Sequence, residues 1–219
     1  MQETSLFQLN DQHSVASHFL SELRKTGFQD DRLRFRRNME RIGELLAYEL
    51  SKTLTYQEHT IQTPLADTEV SLLQEQPVLI SILRAGIPLH QGVLNYFDHA
   101  DSGFVGAFRD HQDEHNFEIA LKYFTLPDTK DKVVLLIDPM LASGQTLATV
   151  CNSFSPDQKP KHLHIVSAIA SPEGLQHLRE TVNIPYSIWT GAVDESIDSK
   201  AYIVPGLGDA GDLSYGPKL

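Results

Sequence analysis

Val133-Val134-Leu135-Leu136-Ile137 runs into Asp138, and Pro139-Met140-Leu141 then leads to Ala142-Ser143-Gly144 and Gln145-Thr146. Five apolar residues without alternation are the pattern of a strand covered on both faces. The stretch 144–154 suits a helix. A strand that delivers an acid, a loop of small residues and a helix start together make a seat for a phosphate. Small residues let the backbone approach a ligand closely. The helix start offers free N–H groups and a positive partial charge. Ser143 and Thr146 add hydroxyl donors, and Asp138 can accept hydrogen bonds from sugar hydroxyls. On composition alone, an ordinary strand-to-helix turn with a capping Ser is an equal reading. No Gly-Lys-Ser/Thr follows, so this is not a Walker loop.

A second glycine cluster, Gly206-Leu207-Gly208-Asp209-Ala210-Gly211, satisfies G-x-G-x-x-G but has only eight residues after it. A dinucleotide fold needs a helix and a further strand there, so that reading fails. Tyr202-Ile203-Val204 leading into Pro205 implies a held loop rather than a loose tail. Glycines bare the backbone, and backbone groups can read a planar base that carries two carbonyls and an N–H. Weaker signals carry little. His111 and His115 have metal-like spacing but lie in a stretch read as a polar loop, without the H-E-x-x-H pattern. His162 and His164 are expected on an exposed strand margin. Cys151 is expected to be a packed thiol.

These residues need a frame. Strands are expected at 78–83, 103–108, 118–126, 133–137, 163–170 and 186–193, and helices at 33–50, 88–97, 144–154 and 172–182. Ser171 is placed to cap the last of these, with Pro172 at its first position. Alternation of this kind predicts an α/β fold with a mostly parallel sheet flanked by helices. Ligands in such sheets sit beyond the carboxyl ends of the strands. Seven of the eighteen Lys and Arg residues fall between Arg24 and Arg41. They read either as a solvated helix face, the preferred reading, or as a positive rim near an anionic ligand.

Composition sets the limits. The 219 residues suit one domain, and 29 acids against 18 bases give a net charge of −11. That charge argues against general nucleic-acid binding, which rests on phosphate neutralisation. From the polar start no signal peptide is expected, and no apolar run is long enough to span a bilayer. One cysteine excludes an internal disulfide and fits the cytoplasm.

The segment Ile137-Asp138-Pro139-Met140-Leu141-Ala142-Ser143-Gly144 resembles the phosphoribosyl pyrophosphate (PRPP) loop of type I phosphoribosyltransferases, in the form seen in uracil phosphoribosyltransferases. Ile82-Leu83-Arg84-Ala85-Gly86 resembles that family's pyrophosphate loop. Gly106-Ala107-Phe108-Arg109-Asp110 resembles its second arginine segment. Ala170-Ser171-Pro172-Glu173-Gly174 resembles the strand end and helix start that follow. The stretch from Tyr202 to Asp212 is similar to its uracil-binding signature. The likeness covers nearly the whole chain, in order. Departures are Ser143 for a common Thr, Gln145 for a common Gly, Thr146 for a common Ser, unfamiliar residues at Leu89-His90-Gln91, and divergence over 111–117.

The resemblance implies a type I phosphoribosyltransferase fold with a small hood. It implies one domain over 1–219, with a helical N-terminal segment of about 1–55 and a uracil-binding segment of about 194–219. The implied reaction joins uracil N1 to the anomeric carbon of PRPP, giving UMP and pyrophosphate. PRPP contacts fall to Arg84, Arg109, Asp138, Pro139, Met140, Leu141, Ala142, Ser143, Gly144, Gln145, Thr146 and Asp209. Uracil contacts fall to Ile203, Gly208, Asp209 and Ala210, and catalytic roles to Asp209 and Arg109. The Asp194-Glu195 pair is expected to act from behind the site. A cis Leu83–Arg84 peptide is expected, as in many relatives. Mg²⁺ is expected as cofactor, held mainly by PRPP and not by a dedicated protein site. Partners are PRPP, uracil and further copies of the chain as a homodimer or higher homo-oligomer, with GTP as a candidate effector. Competing expectations are a phosphoribosyltransferase for another base and a non-catalytic, RNA-binding pyrimidine regulator. The Pro205–Asp209 segment weighs against the first, and the net charge against the second.

Overall fold

The computed structural model describes residues 5–113 and 116–218, with the side chains of 107–122 outside the description. In chain order the elements are β1 (Leu6–Gln8), α1 (Ala16–Arg24), α2 (Arg32–Ser51), β2 (Tyr56–Gln62), β3 (Asp67–Leu73), β4 (Val78–Leu83), α3 (Ile87–Leu94), β5 (Ser102–Asp113) and β6 (Asn116–Thr125). There follow β7 (Val133–Ile137), β8 (Met140–Leu141), α4 (Gln145–Asn152), β9 (His162–Ala170), α5 (Pro172–Thr181), β10 (Tyr186–Val193), β11 (Ser196–Ile197), β12 (Ile203–Val204) and α6 (Ala210–Tyr215).

The main sheet runs β1-β10-β9-β7-β4-β5-β6, with β8 beside β9. Every pairing is parallel except β5 with β6. Strand β7 sits centrally between β4 and β9, which is why it carries no alternation: Val134 to Ile137 are all fully buried. One apolar layer covers the sheet with α1, α2 and α3 through Leu20, Leu23, Phe35, Met39, Ile42, Leu46 and Leu89. The opposite layer joins α4 and α5 to the sheet through Leu147, Val150, Cys151, Leu175 and Leu178. Cys151 is fully buried, as expected, and burial pushes its thiol up to about 12.

Several elements differ from the sequence expectation. The N-terminal segment is not wholly helical, because Leu6–Gln8 pairs in parallel with Ile188–Thr190 at the sheet edge. Residues 56–73 form an antiparallel pair, β2 with β3, exposed along nearly all of both strands. With neither face buried, no apolar alternation marks it. His111 lies on β5, not in a loop, and His115 is outside the described residues. His164 is buried rather than exposed: its Nδ1 accepts a hydrogen bond from the Trp189 indole N–H at 2.9 Å, and Phe7 packs on that indole at 5.1 Å. Burial, and then the charge of neighbouring His162, push the His164 imidazole down to about 3. His162 is half-buried and meets Ser187 at 2.9 Å.

Candidate active site

Strand β7 delivers Asp138 at its carboxyl end, and the loop behind it is fixed by the next strand and helix. The Asp138 N–H donates to the Val166 carbonyl, and the Pro139 carbonyl accepts from Ala168 and Ile169. Met140–Leu141 adds a short rung beside β9. Ser171 then ties the loop to α5. Its Oγ donates to the Ala142 carbonyl at 2.6 Å and accepts from Gly174 N–H at 3.0 Å, while its N–H donates to the Leu141 carbonyl. The fit is tight enough to require glycine twice. Gly144 adopts φ +76°, and a Cβ on Gly174 would lie 2.3 Å from the Ala142 carbonyl oxygen. Asp138 is half-buried, accepts from Met140 N–H at 3.2 Å, and is pushed by desolvation up to about 7.

Strand β4 ends in the second loop. The Leu83–Arg84 peptide is cis, as the resemblance implies. Gly86 closes the turn back on Ile82, its N–H donating to that carbonyl at 3.0 Å, and α3 starts with Pro88 in its first turn. Arg84 reaches across to the C-terminal segment. Its Nη2 donates to Asp212 Oδ1 at 3.0 Å and to the Gly216 carbonyl, and its Nε is buried with no hydrogen-bond partner among the described residues.

The C-terminal segment is held from far away in sequence. Arg24, in α1, grips the buried Asp194 carboxylate with two bonds of 2.7 Å and donates to the Gly206 carbonyl at 3.1 Å. Asp194 also accepts from Gly206 N–H at 2.9 Å. Asp194 thus stands behind the turn, outside the cavity lining. Val204–Pro205 is a second cis peptide, unforeseen in the sequence. Gly206 and Gly208 sit at φ +61° and +89°, so glycine is required at both turns. Asp209 then caps α6, accepting from Asp212 N–H at 2.9 Å. Part of the expected held loop is therefore a short helix. Arg36 donates to the Ser214 carbonyl at 2.8 Å and stands 6.0 Å from the Tyr215 ring. The basic cluster of 24–41 is thus not a purely solvated face: Arg24 and Arg36 clamp the C-terminal segment.

Between these parts lies a cavity of about 800 Å³. Arg84, Asp138, Met140, Ala142 and Thr146 line it together with Gly208, Asp209 and Ala210. Other expected residues stand behind this lining. Leu141 is fully buried, Pro139 is taken up by β9, and Ile203 is buried beneath the turn. Ser143, Gly144 and Gln145 form the bend from the loop into α4. Arg109 lies on β5 with its side chain outside the described residues. Sequence reading missed Tyr123, Lys200 and Lys218, which also face the cavity. Lys200 and Tyr202 sit in the turn that joins β11 to β12, which Asp198 sets by accepting from both their N–H groups at 2.8 and 2.9 Å. An Asp at the head of a short polar run is a turn signal that could have exposed this hood.

The model of the family described as uracil phosphoribosyltransferase matches residues 10–217. The chain belongs to that family. A uracil phosphoribosyltransferase of Porphyromonas gingivalis is 47% identical over 214 residues, covering 98% of this chain and 99% of that protein. The structure of the AQ2163 protein from Aquifex aeolicus is 32% identical, covers 96% of this chain and 98% of its own, and superposes with a TM-score of 0.84. A hypoxanthine phosphoribosyltransferase from Staphylococcus aureus shares the fold at 16% identity, with a TM-score of 0.50 over 78% of this chain and 85% of its own. The uracil phosphoribosyltransferase family therefore supplies the frame in which the loops around the cavity are read. Among the described residues, no helix is long and apolar enough to cross a membrane.

Proposed function

We propose that this chain transfers the phosphoribosyl group of PRPP to N1 of uracil, giving UMP and pyrophosphate. The observation that carries the reading is one cavity lined by Asp138, Ala142 and Thr146 on one side and by Gly208, Asp209 and Ala210 on the other. A phosphate seat and a base-reading turn then share one sugar between them.

In the reaction the anomeric C–O bond to pyrophosphate breaks and the bond to N1 forms, while the N1 proton leaves. The sugar carries oxocarbenium-like charge in between, so the protein's work is positioning and electrostatics. The loop from Asp138 to Thr146 seats the 5-phosphate at the first turn of α4. Asp138 accepts from the ribose hydroxyls, which stabilises the ionised carboxylate that burial disfavours. Arg84 meets the leaving pyrophosphate with its planar fork, and Arg109 is the second candidate. Asp209, beside Arg84 at the cavity wall, is the candidate for the ribose or for the N1 proton. Uracil is read by the backbone of Gly208 to Ala210, with Ile203 packed beneath that turn. Cytosine is rejected because its amino group would face a buried donor.

The carboxylates of Asp138 and Asp209 give the cavity hard oxygen donors, which suit Mg²⁺. An ion bound beside Asp138 and Asp209 would be held mainly by PRPP oxygens and water and would supply charge neutralisation on the pyrophosphate. The reading treats 1–219 as one catalytic domain. The family resemblance further supports a homodimer or higher homo-oligomer and GTP as effector, and the buried lone thiol of Cys151 suits the cytoplasm.

The test is to incubate the protein with PRPP, Mg²⁺ and each base separately and to follow products by chromatography. UMP from uracil alone is expected. Retained PRPP binding without UMP would overturn the enzyme in favour of a regulator, and a purine nucleotide would overturn the base assignment.

A further inference from the structure

An arginine that receives a leaving anion must be held still, because its long side chain otherwise samples many rotamers. Arg84 is held by the C-terminal segment. Its Nη2 bonds Asp212 at 3.0 Å and the Gly216 carbonyl, and the Tyr215 ring stands 6.0 Å from its guanidinium carbon. Asp212 is in turn set by α6, since its N–H is bound to the capping Asp209 carboxylate at 2.9 Å. One run of hydrogen bonds thus leads from the base-reading turn to the anion-binding arginine.

The Arg84–Asp212 pair is about one-third exposed on each side, 35% and 38%. Ion pairs that open to water contribute little to stability. What the pair does contribute is direction: with Nη2 taken by Asp212 and Gly216 and Nε buried, Nη1 is the nitrogen left for a ligand. The pair also brings the two charges to net zero before the substrate arrives, without spending the whole fork. We propose that Asp212 is a positioning residue for the transfer, fixing the Arg84 guanidinium for the pyrophosphate. This inference rests on the phosphoribosyl-transfer reading above.

The experiment measures pyrophosphate binding by calorimetry and KM for PRPP and for uracil. It uses wild type, Asp212→Ala, Asp212→Asn, Arg84→Ala and the double variant. Loss of one charge-assisted hydrogen bond predicts about tenfold weaker pyrophosphate binding and a similar rise in KM for PRPP in Asp212→Ala, with KM for uracil within about twofold. Asp212→Asn keeps an acceptor oxygen of the same shape and should recover to within about threefold of wild type. In the Arg84→Ala background, removing Asp212 should change pyrophosphate binding no further. The inference is overturned if Asp212→Ala binds pyrophosphate like wild type. It is overturned equally if its loss persists without Arg84, or if uracil suffers more than PRPP, which would mark a mere clamp on α6. Should Asp212→Ala not fold, Asp212→Ser, whose short hydroxyl cannot reach Arg84 as the carboxylate does, takes its place, and there a pyrophosphate affinity identical to wild type overturns the inference. Failure of wild type itself to form UMP would instead remove the transferase reading, a result separate from any difference among variants.

Discussion

The phosphate loop and the uracil turn face one cavity but are held in opposite ways. The loop rests on its neighbours in the fold: β9 takes its backbone groups, and Ser171, 29 residues away from Ala142, closes it. The turn rests on side-chain charges from the other end of the chain. Arg24 reaches Asp194 across 170 residues and Gly206 across 182, and Arg36 reaches Ser214 across 178. A seat made of packed backbone is rigid because sheet and helix are rigid. A turn made of clamped glycines is only as fixed as its clamps.

This contrast can be broken by substitution, beginning with the largest effect. Gly174→Ala would place a Cβ 2.3 Å from the Ala142 carbonyl oxygen and 2.9 Å from that of Leu141. Overpacking against backbone should cost about 2–3 kcal/mol, and ribose 5-phosphate affinity should fall by about a hundredfold in calorimetry. An alanine accepted without change would show that α5 does not back the loop. Arg24→Ala strands the buried Asp194 carboxylate, and because Arg24 itself is partly exposed, denaturant unfolding should register a loss of about 2 kcal/mol. Steady-state kinetics of the same variant should raise KM for uracil well above any change for PRPP, and the reverse order would undo the contrast. Ser171→Ala removes a helix cap and the tie to Ala142, so about 1–2 kcal/mol should be lost, with KM raised for PRPP and not for uracil.

The smallest effect belongs to an arginine of the same cluster that clamps nothing at the site. Arg34 pairs with Glu22 between α2 and α1, and hydrogen bonds from Arg34 and then Asn38 bring the Glu22 carboxyl down to about 2. A depressed carboxyl stabilises the fold above its ordinary range, near 4.5, and that stability disappears as pH falls from there towards 2. Arg34→Ala should leave both KM values unchanged and return Glu22 towards the ordinary carboxylate range in an NMR titration. A change in uracil kinetics would mean that the whole cluster, not Arg24 and Arg36, holds the turn.

The same contrast explains what was legible in the sequence. The central strand 133–137 and the small residues after it announce themselves, since burial on both faces forbids polar side chains and tight packing demands small ones. The glycines of 206–211 were equally visible. What holds them was not, because no local pattern records that Arg24 and Asp194 meet. The basic run at 24–41 looked like solvent-facing charge for the same reason. The β2–β3 ribbon carries no period because neither face is buried, and β1 has too few residues to show one. His164 was misplaced because its burial depends on a donor from Trp189, a residue on the adjacent strand.

That last pair has a practical consequence. Trp189 is the chain's one tryptophan. It is buried beside the parallel edge strand β1, with its indole N–H bound to a neutral imidazole. Intrinsic fluorescence therefore reports from a single site at the seam between the first residues and the sheet, on the side where the clamping helices pack. Fraying of that seam, or protonation of the ring that accepts the indole, will be readable as a change in emission without any label.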